Sequence, residues 1–135
     1  MTYRMTNEYQ KILTKMIGEK LHEIISEQPY EVDTVIVGSL YRCSCGYDFH
    51  SNVINKHFIV ANRTFTDDSD MMKVFRWLVD GKWEDFYKYI VPVYKKDNNI
   101  GYYTIVFGVT IFAWLFYDAE RFCCLVAEAK KEGVI

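Results

Sequence analysis

From Asn98 to Tyr117 the chain runs for twenty residues without a formal charge, between Lys95-Lys96-Asp97 on one side and Asp118 on the other. A run of that length must leave water, either across a membrane or into a core. Gly101, Gly108, the pair Tyr102-Tyr103 and the density of Thr, Val, Ile and Phe suit strands better than a lipid-facing helix. The expectation is therefore a core sheet and no membrane partner. Its strands would be residues 91–96, then 102–107 after a turn through Asp97-Asn98-Asn99, then 109–116 after Gly108. Hydrophobicity that is continuous along these strands, not alternating, implies that both faces are covered.

The covering elements are read from helical spacing. Tyr9, Ile12, Leu13, Met16, Ile17, Leu21, Ile24 and Ile25 recur at i, i+3, i+4 and mark one apolar stripe on a helix of about six turns. Thr6 or Asn7 would cap it, and Pro29 would stop it near Gln28. Residues 33–42, DTVIVGSLYR, read as a strand. Ser51 or Asn52 would cap a short helix over 53–61. Thr66, with Asp67, Asp68 and Asp70 facing the positive end of the helix dipole, would open another. That helix carries Met71, Val74, Phe75 and Leu78 and ends at Gly81. A further stripe of Trp83, Phe86, Tyr87 and Ile90 ends at Pro92. Asp118 opens a last helix that Gly133 closes, with Ala119, Phe122, Cys123 and Val126 facing inward.

These elements add up to an α+β fold, a short antiparallel sheet of about three to four strands packed by about four to five helices. At 135 residues, without repeats or Gly/Ser-rich linkers, the chain is expected to form a single domain over 1–135. Its 16 Lys and Arg against 18 Asp and Glu give a net charge of −2, which disfavours non-specific nucleic-acid binding. The N-terminus lacks the charged-then-apolar run of a signal peptide, so reduced thiols and a cytoplasmic location are expected.

The chemically loaded stretch is Tyr41 to Phe58, YRCSCGYDFHSNVINKHF, which holds two of the four cysteines and two of the three histidines. Tyr41, Cys43, Cys45, Phe49, Ile54 and His57 follow one another as aromatic, two thiols, phenylalanine, aliphatic and imidazole. Over 41–62 this order resembles a degenerate C2H2 zinc finger. The resemblance implies zinc held by Cys43, Cys45 and His57, with His50, Cys123, Cys124 or water as a fourth ligand.

The stretch departs from that pattern twice. One residue separates the cysteines where the family has two to four, and Ala61 or Asn62 stands where the second histidine belongs. On a straight strand the two sulfurs of C-x-C lie about 7 Å apart, so a shared metal needs a turn. The alternative leaves Cys43 and Cys45 as small buried hydrophobes and His57 as a hydrogen-bonded inner histidine. The face a finger would offer to bases carries His50, Asn52, Val53 and Lys56, and valine reads no hydrogen-bond pattern.

A thiol nucleophile at Cys43 or Cys45, activated by His50 or His57 with Asp48 orienting the ring, is the enzymatic reading, and no family signature surrounds it. The Asp67-Asp70 run reads as helix capping, and Cys123-Cys124 as one core thiol and one at the core edge.

The compositional excess is aromatic, 17% of residues with eleven tyrosines and nine phenylalanines. Tyrosine and tryptophan suit interfaces, so Trp83, Tyr87, Tyr89, Tyr102 and Tyr103 are the expected partner-binding residues. The leading functional expectation is a small non-enzymatic accessory or regulatory protein, of phage or mobile-element type. It would bind a protein partner, with a homodimer as one form and no required cofactor. A zinc-stabilised nucleic-acid-binding regulator is the alternative, and a small cysteine-dependent enzyme the second alternative.

Overall fold

The computed structural model describes residues 3–50, 62–98 and 108–135. Among them are five helices and a three-stranded antiparallel sheet, so the α+β class and the element numbers stand. Their positions do not all match. The chain divides into two compact units, a helical one formed by Met1–Glu19 with Thr64–Ile135 and a sheet unit formed by Lys20–Arg63.

The helical unit begins with α1, Asn7–Met16, capped by the Thr6 hydroxyl accepting from the Tyr9 N–H. The expected six-turn helix stops after fewer than three turns. Gly18 sits at φ +81°, where a side chain would be strained, and the Glu19 N–H turns back to the Thr14 carbonyl. Ile24 and Ile25, placed on the helical stripe by their spacing, instead begin a strand.

α2 spans Asp68–Leu78 and is capped by the Asp67 carboxylate accepting from the Asp70 N–H at 2.8 Å. Asp70 is itself buried and accepts from the Phe65 N–H, so the acidic run does serve the helix start. α3 spans Trp83–Asp97 and runs straight through Pro92, which replaces the expected strand over 91–96 with helix. Pro92 and Lys88, whose carbonyl loses its donor to the proline, both lie on the exposed side, where water can satisfy that oxygen.

α4 spans Gly108–Tyr117, so residues 109–116 are also helical and not the expected strand. Ile111 and Leu115, four apart, are fully buried. The expected strand over 102–107 and the expected helix over 53–61 lie outside the described residues. No described helix is long and apolar enough to cross a membrane.

α5, Ala119–Lys131, is capped by Asp118 and buries eight of its thirteen residues, including both cysteines. It touches each of the other helices. Phe122 in its first turn packs edge-on to Phe86 and against Phe116. This helix is the core of the unit, and a Phe122→Ala variant is expected to lose about 3–5 kcal/mol in urea unfolding followed by far-UV circular dichroism.

In the sheet unit β1 (Ile24–Val32) pairs with β2 (Val35–Cys43), which pairs with β3 (Asp48–His50). The expected strand over 33–42 is thus present, shifted to follow a hairpin turn at Asp33-Thr34. Both turn residues have positive φ, +51° and +66°. Such a turn matches the twist of the strands, but a β-branched threonine is strained there. Thr34→Gly is expected to raise the melting temperature of the sheet unit, by relief of strain of order 1 kcal/mol, readable as slower exchange of the β1 and β2 amides.

Candidate metal centre

Among its described residues the sheet unit buries two side chains, Cys43 and Phe49. Phe49 lies between the stacked rings of Tyr41 and Tyr47, 5.9 and 6.2 Å away. Arg42 and Asp48 pair across β2 and β3 through two hydrogen bonds of 2.8 and 3.1 Å, which holds the Asp48 carboxyl below its usual range. The pair is exposed and therefore fixes register more than it stabilises.

Cys43 is the last residue of β2. Ser44, Cys45 and Gly46 turn the chain toward β3, with the Gly46 N–H donating to the Cys43 carbonyl and the Cys43 N–H to the Tyr47 carbonyl. Gly46 adopts φ +90°, a conformation that a residue with a Cβ rarely takes. This turn supplies what a straight C-x-C strand lacks.

Opposite the turn lies His22, two residues ahead of β1. Its backbone is held from both sides. Asn62 accepts from the His22 N–H and donates to the His22 carbonyl, while Ser44 donates to the Leu21 carbonyl and accepts from the Glu23 N–H. The result is a Cys43 Sγ to His22 Nδ1 distance of 3.4 Å. The donor atoms of His22, Cys43 and Cys45 all lie within 4.8 Å of one another.

Two thiolates and an imidazole form a borderline-soft donor set of the kind Zn²⁺ takes. Bond lengths of about 2.3 Å to sulfur and 2.0–2.1 Å to nitrogen put donors on a tetrahedral zinc about 3.6–3.8 Å apart. The His22 to Cys43 separation of 3.4 Å falls about 0.2 Å short of that range, and the widest pair of the triad needs to close by at most about 1 Å. Three protein donors leave one tetrahedral position for a further ligand.

Of the expected ligands, Cys43 and Cys45 are therefore brought together. His50 stands on β3 opposite Leu40, its ring 4.6 Å from Tyr30, and is not part of the triad. His57 lies outside the described residues. His22 is the residue that sequence spacing missed, because the helical stripe was read straight through it.

Cys123 and Cys124 sit on α5 in the other unit. Both are buried, where an edge position was expected for one, and burial raises both thiols, Cys124 to about 12. Neither has the character of a nucleophile. Among the expected partner-binding residues, Trp83, Tyr87 and Tyr89 are half-buried against the helical core. Trp83 stacks on Phe116 and leans on Phe75, Phe86 and Phe112. Tyr102 and Tyr103 lie outside the described residues.

Compared with protein-family models, curated proteins and solved structures, the chain matches none.

Cys45 is exposed while the other three thiols are buried. In metal-free protein Cys45 is expected to react first with iodoacetamide. Added zinc should suppress that reaction in the native chain and leave it unchanged in a His22→Gln variant, as read by mass spectrometry of the alkylated peptides.

Proposed function

We propose that this protein is a non-enzymatic binding protein, in which a zinc ion on His22, Cys43 and Cys45 clasps a β hairpin that presents apolar side chains to a protein partner. The observation that carries this reading is the exposure of the hairpin. Ile25, Val35, Ile36 and Val37 are 58–63% exposed, and Ile24, Tyr30 and Val32 are 38–46% exposed. Isolated exposed apolar residues are ordinary, but seven on the two faces of one hairpin support a role for it in binding a partner.

The zinc component rests on the same imbalance. Among the described residues of this unit only Cys43 and Phe49 are buried, and small folds with few buried side chains gain most from a staple. The triad lies where a staple is most effective, at the open end of the hairpin beside the Ile24 to Cys43 pair. Zinc bound across His22 and Cys43 would offset the entropy cost of closing the loop between them.

The charge balance favours protein over nucleic acid as the partner. Between Lys20 and Arg63 the sequence has four Lys and Arg against five Asp and Glu, a net charge of −1. Phosphate neutralisation, the main source of nucleic-acid affinity, has little to draw on. The accessory role, of phage or mobile-element type, remains part of this proposal.

A second reading takes the 3.4 Å contact of Cys43 with His22 as a thiol and imidazole poised for nucleophilic chemistry. Cys43 has no exposed surface, which favours a ligand over a nucleophile. Alkylation of Cys43 faster than a free thiol would support the enzyme and count against the clasp.

The binding proposal is tested with Ile36→Lys, a substitution at an exposed site that leaves the metal ligands intact. The wild-type chain is expected to form a stoichiometric complex on isolation from its native host, and the variant to lose it with its zinc content and circular dichroism unchanged. A variant that retains the complex, or a wild-type chain that stays alone, refutes the surface. Less than about a tenth of an equivalent of zinc after purification without chelators refutes the clasp.

A further inference from the structure

The helical unit contains a cavity of about 430 Å³ that plays no part in the metal centre or the hairpin. The volume lies within the usual range of small-molecule sites, about 300–1,000 Å³. Its apolar wall is formed by Val93 of α3 and Leu125 of α5. Three tyrosines also line it, Tyr3 and Tyr9 from the N-terminal segment and Tyr89 from α3.

Two of the phenols are tied to carboxylates, Tyr3 donating to Asp97 and Tyr9 to Glu128, and Tyr89 lies in the field of Glu132 and Glu128. Burial and these carboxylates raise Tyr3 and Tyr89, the latter to about 12, and the bond to Glu128 followed by burial raises Tyr9. The phenols therefore stay protonated, with the hydroxyl protons of Tyr3 and Tyr9 committed to carboxylates. What the tyrosines still offer a ligand is the negative face of each ring.

Glu128 is the acidic residue of the lining. It is half-buried, accepts from a neutral phenol, and forms no ion pair among the described residues. A half-buried carboxylate beside three aromatic rings and an apolar wall is the combination that recognises organic cations. Arg4, the one basic residue of the lining, is exposed, so its charge is largely screened by water.

We infer that this cavity is a binding site for an organic ammonium ion, an alkylated amine carried on an apolar body, with its charge against Glu128 and the faces of Tyr3, Tyr9 and Tyr89.

The test uses benzyltrimethylammonium as the cationic probe and phenylacetate as its anionic counterpart, in calorimetric titrations of the full chain. The cation is expected to saturate one site with sub-millimolar affinity, and phenylacetate to show no saturation. Glu128→Gln keeps an acceptor for the Tyr9 hydroxyl but removes the charge, and should weaken the cation about tenfold or more. Arg4→Gln, at an exposed position where folding is not at stake, should tighten it about two- to threefold by removing a like charge.

No saturable binding of the cation up to about 10 mM would overturn the inference. So would equal affinity in the Glu128→Gln variant, provided its melting curve matches the wild type. Preferential binding of phenylacetate, lost in Arg4→Gln, would assign the cavity to anions and overturn it as well.

Discussion

A small sheet cannot hold itself together in water without something to bury, and among the described residues of the Lys20–Arg63 unit little is buried. Its strands are long enough to pair, but pairing replaces hydrogen bonds to water with protein hydrogen bonds at small net gain. The described part of the unit buries one phenylalanine and one cysteine. One requirement for keeping the hairpin closed is then a set of ties that act locally. The hydrogen bonds of Asn62 and Ser44 to the backbone around His22 meet that requirement, and so does the convergence of His22, Cys43 and Cys45. The helical unit has the opposite character, because α5 buries most of its surface and gives the other helices one shared core.

The helices with polar outer faces were legible in the sequence. Asp118 acts as a cap, the cap expected at Thr66 falls one residue later at Asp67, and Met71, Val74, Leu78, Phe86, Ile90 and Phe122 are buried as their spacing implies. Residues 109–116 were not legible, for a physical reason. A run that is apolar on all sides has no amphipathic period, so strand and buried helix look alike, and β-branched content tips the reading toward a strand. Tertiary burial of Ile111 and Leu115 outweighs that local preference. Pro92 misled in a similar way, since a proline on the solvent side of a helix costs less than one facing the core.

The metal centre was half legible. The two cysteines were visible, and so was the need for a turn between them. The histidine was hidden by a stripe that kept helical spacing past Gly18 to Ile25. The missing signal was the hairpin itself. Counted outward from Asp33-Thr34, Val32 meets Val35, two register shifts along the strands cancel so that Ile24 meets Cys43, and His22 comes beside the turn that carries Cys45. Residues 21 positions apart in the chain become neighbours only when the turn is recognised first.

The placement of His22 just before β1 and of Cys43 at the end of β2 has a further meaning if zinc is the clasp. Ligation then acts by mass action on whether the strands are paired at all, not on their shape once paired. Display of the apolar hairpin would follow the supply of metal and the redox state of two thiols. The same chain would thus be competent in a zinc-replete, reducing milieu and latent under starvation or oxidation, without any moving part beyond the opening of one hairpin.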